Sequence, residues 1–151
     1  MYQFRKMNSS DLSIMIELEK NSRIQEPEVF NEFNEESFSL DFKNNPIEDY
    51  SLNEVILCIK DNMVIGRVDL IVEQSFMDYE KIGYVDWVYV LKLHRKKGIA
   101  KKLFNEAETY FTEHMCKLYY LFVATNEEAK GFYSSINVEI NSIDRASKKL
   151  K

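Results

Sequence analysis

Apolar and polar positions change their spacing several times along the chain, and each change predicts an element. Residues 2–7 alternate loosely and predict a short strand. Ser9 or Ser10 is placed to cap a helix reaching about Arg23, with Leu12, Met15, Ile16 and Glu19 at helical spacing. Residues 25–50 are acidic and irregular, except that Glu35–Lys43 predicts a weaker second helix, ended by Asn44-Asn45-Pro46. Val55–Ile59 and Met63–Val72 read as strands, joined at Asp61-Asn62 by a hairpin-type turn. A polar loop follows at 74–81, then a long strand at Ile82–Leu91. Beyond Gly98 a helix extends to about Met115, with Ile99, Leu103, Ala107, Tyr110 and Phe111 on one face. Leu118–Ala124 is apolar and aromatic, as a central strand would be. Asn126 is placed to cap a short helix bearing Ala129, Phe132, Tyr133 and Ile136. Val138–Ile143 predicts a further strand, and Arg145–Leu150 is a candidate last one. The order β-α-α-β-β-β-α-β-α-β(-β) is that of an α/β fold with a mixed sheet. With no internal repeat or linker, residues 1–151 are expected to form a single domain.

Composition narrows the picture. Apolar residues make up 45% of the chain, and 10 Phe and 9 Tyr are too many for a disordered one. No apolar run approaches a membrane span, and the N-terminal residues lack the apolar core of a signal peptide. A cytoplasmic location and no membrane partner are expected. Cys58 and Cys116 belong to no CxxC or Cys/His cluster, so reduced structural thiols are expected, and no metal.

Net charge is −5, but it is unevenly spread. Residues 1–54 carry twelve acids to five bases, whereas 92–102 carry Lys92, Arg95, Lys96, Lys97, Lys101 and Lys102 with no acid. Such a cluster in an acidic protein calls for a local anionic partner. It also surrounds Gly98, at the junction of a strand and a helix. The first N–H groups of a helix have no internal partner, and the helix dipole favours negative charge there. A diphosphate fits such a turn. The segment is not a P-loop, which needs Gly, four residues, then Gly-Lys-Ser/Thr, nor does it hold the three glycines of a dinucleotide fingerprint.

Val88-Tyr89-Val90, followed by Arg95-Lys96-Lys97-Gly98-Ile99-Ala100, resembles the signature of the GNAT N-acetyltransferases. That signature is Arg or Gln, two residues, Gly, one residue, then Gly or Ala, after a strand ending in an apolar pair. Asn126-Glu127-Glu128-Ala129-Lys130-Gly131-Phe132-Tyr133 resembles the family's Asn, two residues, Ala, two residues, aromatic-Tyr. The likeness covers about residues 55–143, while 1–54 agree in element order. Two departures stand out. The family often has Pro where Lys92 stands and Gly where Lys96 stands.

The resemblance implies a mixed, mostly antiparallel sheet with a splayed strand pair, flanked by helices on both faces. It implies an acetyl-CoA-dependent N-acetyltransferase, with acetyl-CoA as co-substrate. In it, the backbone of Val88 and Val90 would hold the pantetheine arm, with the Val90 N–H at the thioester carbonyl. The backbone of Arg95, Lys96, Lys97, Gly98, Ile99 and Ala100 would hold the pyrophosphate. Tyr133 stands where the family's general acid stands. Asp86, on the strand before Val90, is the candidate base, and an Asp flanked by Tyr84, Val85, Trp87 and Val88 is expected to be partly buried. Asn126 is expected to cap its helix and also touch the cofactor arm. His94 is expected to face solvent, and His114 to help satisfy the end of the long helix.

The acid-rich N-terminal region would draw a small-molecule amine that is cationic. Alternatives are an acyl-CoA-binding or regulatory module without turnover, and a protein or peptide N-acetyltransferase. A nucleic-acid partner is disfavoured, because the aromatics are not interleaved with the basic cluster. The short C-terminal segment leaves a last strand either incomplete or completed by a second subunit, so a homodimer stays open.

Overall fold

Asp61 and Asn62 close the central hairpin, both with positive φ (51° and 62°). Short polar side chains tolerate this left-handed backbone, whose twist matches that of the flanking strands. The computed structural model describes residues 1–150. Around this hairpin, β2 (Asn53–Lys60) and β3 (Met63–Gln74), lie β1 (Gln3–Lys6) and β4 (Lys81–Val90), then β5 (Tyr119–Tyr120). The sheet order is β1-β2-β3-β4-β5, antiparallel except for the parallel β4–β5 pair. The helices are α1 (Leu12–Gln25), α2 (Glu35–Asn44), α3 (Ile99–Glu113) and α4 (Glu127–Ser135), with short 3₁₀ turns at Ile47–Asp49 and Lys92–His94. The mixed α/β class is as expected. No helix among the described residues is long and apolar enough to cross a membrane.

Successive residues of a strand point to opposite faces, and β3 shows what covers each. A Cβ on Gly66 would lie 3.4 Å from the Ile99 side chain of α3. The next residue, Arg67, reaches Glu19 of α1 at 3.7 Å. Helices therefore cover both faces. The α3 stripe of Ile99, Leu103, Phe104, Ala107, Tyr110 and Phe111 is buried. So are Met15, Leu18 and Ser22 of α1; of the four positions expected on its face only Met15 is buried, while Leu12, Ile16 and Glu19 are half-buried.

Asp69 pairs with Trp87 and Leu70 with Val85, which leaves Asp86 unpaired in a β-bulge.

Three expectations are corrected. The N-cap of α1 is Asp11 and not Ser9 or Ser10, and its carboxylate is taken by Arg5 and the Asn8 N–H. Of the strand expected at 118–124, only Tyr119–Tyr120 pairs, at the sheet edge and not its centre. Residues 138–150 form no strand. Ile140 and Ile143 remain 60% and 87% exposed, because β5 diverges too early to offer a ladder for them to join.

Candidate active site

The bulge decides which backbone groups of β4 are free. Ahead of it, the Gly83 N–H donates outward to the Leu118 carbonyl at 2.8 Å. Beyond it, the Leu91 N–H turns the other way, to the Ile65 carbonyl of β3 at 2.9 Å. Alternate residues of an antiparallel strand face opposite neighbours. Without Asp86 as an extra residue, odd positions would face outward to the strand's end. With it, Val88 and Val90 do. The last β4–β5 pairing is Tyr84 with Tyr120, so these two valines open onto a gap between diverging strands. The Val90 carbonyl accepts a bond from Arg95 Nε at 2.9 Å, while its N–H stays on the open side.

The strand runs into a turn with two left-handed residues, Lys96 (φ 60°) and Gly98 (φ 76°). Nothing lies within 4 Å of a Cβ at Gly98, so backbone conformation and not space calls for glycine. The same reasoning fits the family's frequent glycine where Lys96 stands, since glycine would adopt that φ with less strain than lysine does. Ile99, buried, starts α3. The Lys102 N–H bonds back to the Gly98 carbonyl at 3.1 Å, so the N–H groups preceding it point forward from the helix start. Alongside is a recess of about 600 Å³, lined by Lys92, Arg95, Lys96, Glu127 and Glu128.

Arg95 was expected to lend its charge to an anion. Its guanidinium is instead committed to Glu26 at the end of α1, with Nη1 3.0 Å from Oε1. It also lies over the Tyr89 ring, 5.6 Å from its centroid. Tyr89 donates its phenol to Glu26 at 2.8 Å. Burial opposes ionisation of Glu26, but the bonds from Arg95 and Tyr89 outweigh it and hold the carboxyl below its ordinary range. The Tyr89 phenol is pushed far up, by burial and then by Glu26. Arg95 thus clamps the α1 terminus to the β4 edge, leaving Lys92 and Lys96 as the cations lining the recess. Lys97 reaches the Leu93 carbonyl at 3.2 Å.

Tyr133 is 5% exposed. Burial raises its phenol pKa and the Ala124 backbone amide partly offsets this, so the group keeps its proton, as an acid must. Phe132 pins α4 onto α3, 5.3 Å from the Phe104 ring. Asn126 accepts a bond from the Ala129 N–H at 2.8 Å and caps α4 as expected.

Asp86 differs from expectation. It is exposed, because it projects from the bulge where β5 no longer covers the strand. Its neighbours are Tyr84 and Arg67. His94 does not face solvent freely. It is half-buried, its Nδ1 lacks a partner, and burial followed by Lys97 and Lys60 lowers its pKa. His114 closes the end of α3 as expected, its Nδ1 2.8 Å from the Tyr110 carbonyl.

Two groups escaped the sequence reading, the Glu26–Arg95–Tyr89 clamp and an ion cluster of Arg67 with Asp69 and Glu19. Charge complementarity was the only signal either offered, and it does not name partners. Among the described residues no three His, Cys, Asp or Glu are placed to hold a metal ion.

The family model described as Acetyltransferase (GNAT) family matches residues 18–136. No curated protein matches the chain. Among solved structures, the chain is similar to an aminoglycoside acetyltransferase from an uncultured soil metagenomic sample, at TM-score 0.77 and 17% identity over 99% of this chain and 97% of that one. A possible acetyltransferase from Clostridium difficile 630 is similar at TM-score 0.78 and 19% identity, covering 100% and 99%. Glucosamine-6-phosphate N-acetyltransferase from Arabidopsis thaliana is similar at TM-score 0.73 and 18% identity, covering 98% of each. At these identities the likeness carries the fold alone.

Proposed function

The chain belongs to the acetyltransferase (GNAT) family of acetyl-CoA-dependent N-acetyltransferases, and from that premise we propose that it acetylates a primary amine of a small cationic acceptor, with both substrates bound together. The observation that carries the reading is the Asp86 bulge, which turns Val88 and Val90 outward exactly where β5 leaves.

The residues present fit acetyl-CoA. The gap beside Val88 and Val90 suits an extended arm that pairs with a strand edge. The forward N–H groups at Gly98, Ile99 and Ala100, with Lys92, Lys96 and Lys97 around them, suit a pyrophosphate. Bound there, acetyl-CoA supplies an activated acetyl thioester. The Val90 N–H is the group that would face its carbonyl and take up the negative charge that develops in transfer. Tyr133, buried and protonated, would give its proton to the leaving thiol sulfur as the C–S bond breaks, and would recover one from the nitrogen that has formed the new C–N bond. Asp86, exposed on the acceptor side, would take a proton from the incoming ammonium through water. Asn126 uses one lone pair of its Oδ1 in capping, and its amide nitrogen would donate to the arm.

Several acids of the N-terminal region, among them Glu28, Glu32, Glu36 and Asp41, are exposed and favour a cationic acceptor. Glu26, counted with them in the sequence, is not available, since Arg95 neutralises it. The proposal is of one domain over residues 1–151 working in the cytoplasm.

A panel of polyamines, aminoglycosides, amino acids and N-terminal peptides, assayed for coenzyme A release, tests the reading. Turnover of a cationic small amine supports it. Turnover confined to peptides would replace the acceptor class.

A further inference from the structure

On the α1 face of the sheet, beside the bulge, three aromatic rings form an open cluster that neither folding nor the chemistry above accounts for. Tyr84 stacks on Tyr120 with centroids 4.8 Å apart. Phe122 stands edge-on to both, at 6.0 Å and 6.2 Å. The Tyr120 phenol donates to Glu73 at 3.0 Å. Asp86 lies close enough to the Tyr84 phenol to raise its pKa, behind burial as the larger cause. The cluster therefore flanks the gap in which transfer is proposed.

Phe122 is 62% exposed. A large ring that open, among other rings and two carboxylates, presents a negative surface: ring faces carry negative charge density, and Glu73 and Asp86 add to it. One cation already sits on it. The Arg145 guanidinium carbon lies 5.3 Å from the Phe122 centroid. It comes from residues 138–150, which have no regular structure to place it there. An exposed cation–π contact is a weak tether, readily exchanged for another cation.

Resting on the acetyltransferase reading, we propose that Tyr84, Tyr120, Phe122 and Glu73 form the seat for a second, distal cationic group of the acceptor, and that Arg145 occupies that seat as an internal stand-in which the acceptor displaces. The preferred acceptors are then diamines, polyamines or guanidino-amines, not monoamines.

The test compares spermidine with butylamine at matched ionic strength on the coenzyme A-loaded protein. In an arginine side-chain ¹⁵Nε–¹H spectrum, spermidine should move the Arg145 resonance saturably toward its free position, and sodium chloride should not. By calorimetry, Arg145→Gln should tighten spermidine binding roughly twofold to fivefold, the range an exposed cation–π contact is worth. It should leave butylamine and coenzyme A binding unchanged. Phe122→Leu should weaken spermidine alone. An Arg145 resonance that spermidine moves no more than salt does, or spermidine affinity unaltered or lowered in Arg145→Gln, would overturn the seat. Absence of coenzyme A uptake would instead sink the acetyltransferase reading, and the resonance titration of the unloaded protein would still judge the seat.

Discussion

Residues 1–113 and residues 118–150 are held in place by different means. Among the described residues, every buried apolar side chain but one comes from the first region, and the exception is Tyr133. The first region is a paired sheet with α3 and α1 packed on its faces. The second hangs on a two-residue parallel pairing, the Tyr119 ring stacked on Phe111 with centroids 5.5 Å apart, and the rings of Phe132 and Tyr133. The groups proposed to hold coenzyme A, from Val88 to Ala100, belong to the first region, with Asn126 alone offered to the arm from the second. The proposed acid and much of the proposed acceptor seat belong to the second. A rigid strand edge can hold a common donor, while a lightly packed border can adapt to an acceptor.

The sharpest probe of this division is the proposed acid, which the second region contributes. Tyr133→Phe keeps the buried ring and removes the hydroxyl. Steady-state assays should show turnover lowered by roughly 10²-fold to 10⁴-fold, the usual contribution of a general acid, with coenzyme A affinity kept. Full activity would reduce Tyr133 to a packing residue.

Thermal unfolding tests the contrast itself. Leu103, fully buried on α3, should cost about 2–5 kcal/mol as Leu103→Ala. Ile143→Ala, in the second region, should stay within about 0.5 kcal/mol. Similar costs at the two positions would break the comparison.

The clamp between α1 and β4 should rank next. Glu26→Gln leaves Arg95 with only the more distant Glu128, 3.5 Å from its Nη1, as counter-charge, and should cost about 1–3 kcal/mol, the range for a hydrogen bond to a charged group. Its pH dependence has a definite sign. A carboxyl held below its ordinary 4.5 contributes stability that is present above that value and is lost as pH falls through the lower folded value. Melting temperature should therefore fall on acidification below about 4.5, and less steeply in Glu26→Gln. A variant as acid-sensitive as the parent would remove Glu26 from this role.

The smallest effects lie in the turn. Gly98→Ala forces a Cβ into a left-handed backbone and should cost about 1–2 kcal/mol, whereas Lys96→Gly relieves the same strain at φ 60° and should gain less than about 1 kcal/mol. Equal and opposite responses are not expected, because glycine adds unfolded-state entropy. Two destabilised variants would mean that the turn conformation differs from the one described.

What could be read from the chain was what depends on neighbours in sequence. The continuous apolar run of β2, the apolar run of β3, the turn at Asp61-Asn62, the α3 stripe and the Arg95–Ala100 signature are all local. The Asn126 cap, acting three residues ahead on Ala129, is local too. The Glu26–Arg95 clamp joins residues 69 apart in the chain, and no pattern near either residue announces it. The bulge was equally hidden. Asp86 between Val85 and Trp87 has the look of a half-buried strand position, and only pairing with β3 makes it the extra, exposed residue. At Val138 and Ile140 the alternation was real but insufficient, because a strand needs a partner edge and β5 has already turned away.

The central claim is that the outward amides of Val88 and Val90, and the forward amides at Gly98 to Ala100, grip coenzyme A. Amide hydrogen exchange read residue by residue, with and without coenzyme A, tests it most directly. The account predicts that these amides become strongly protected on addition of coenzyme A while those of residues 138–150 do not. Protection absent at Val88, Val90 and Gly98, with coenzyme A demonstrably bound, would contradict it.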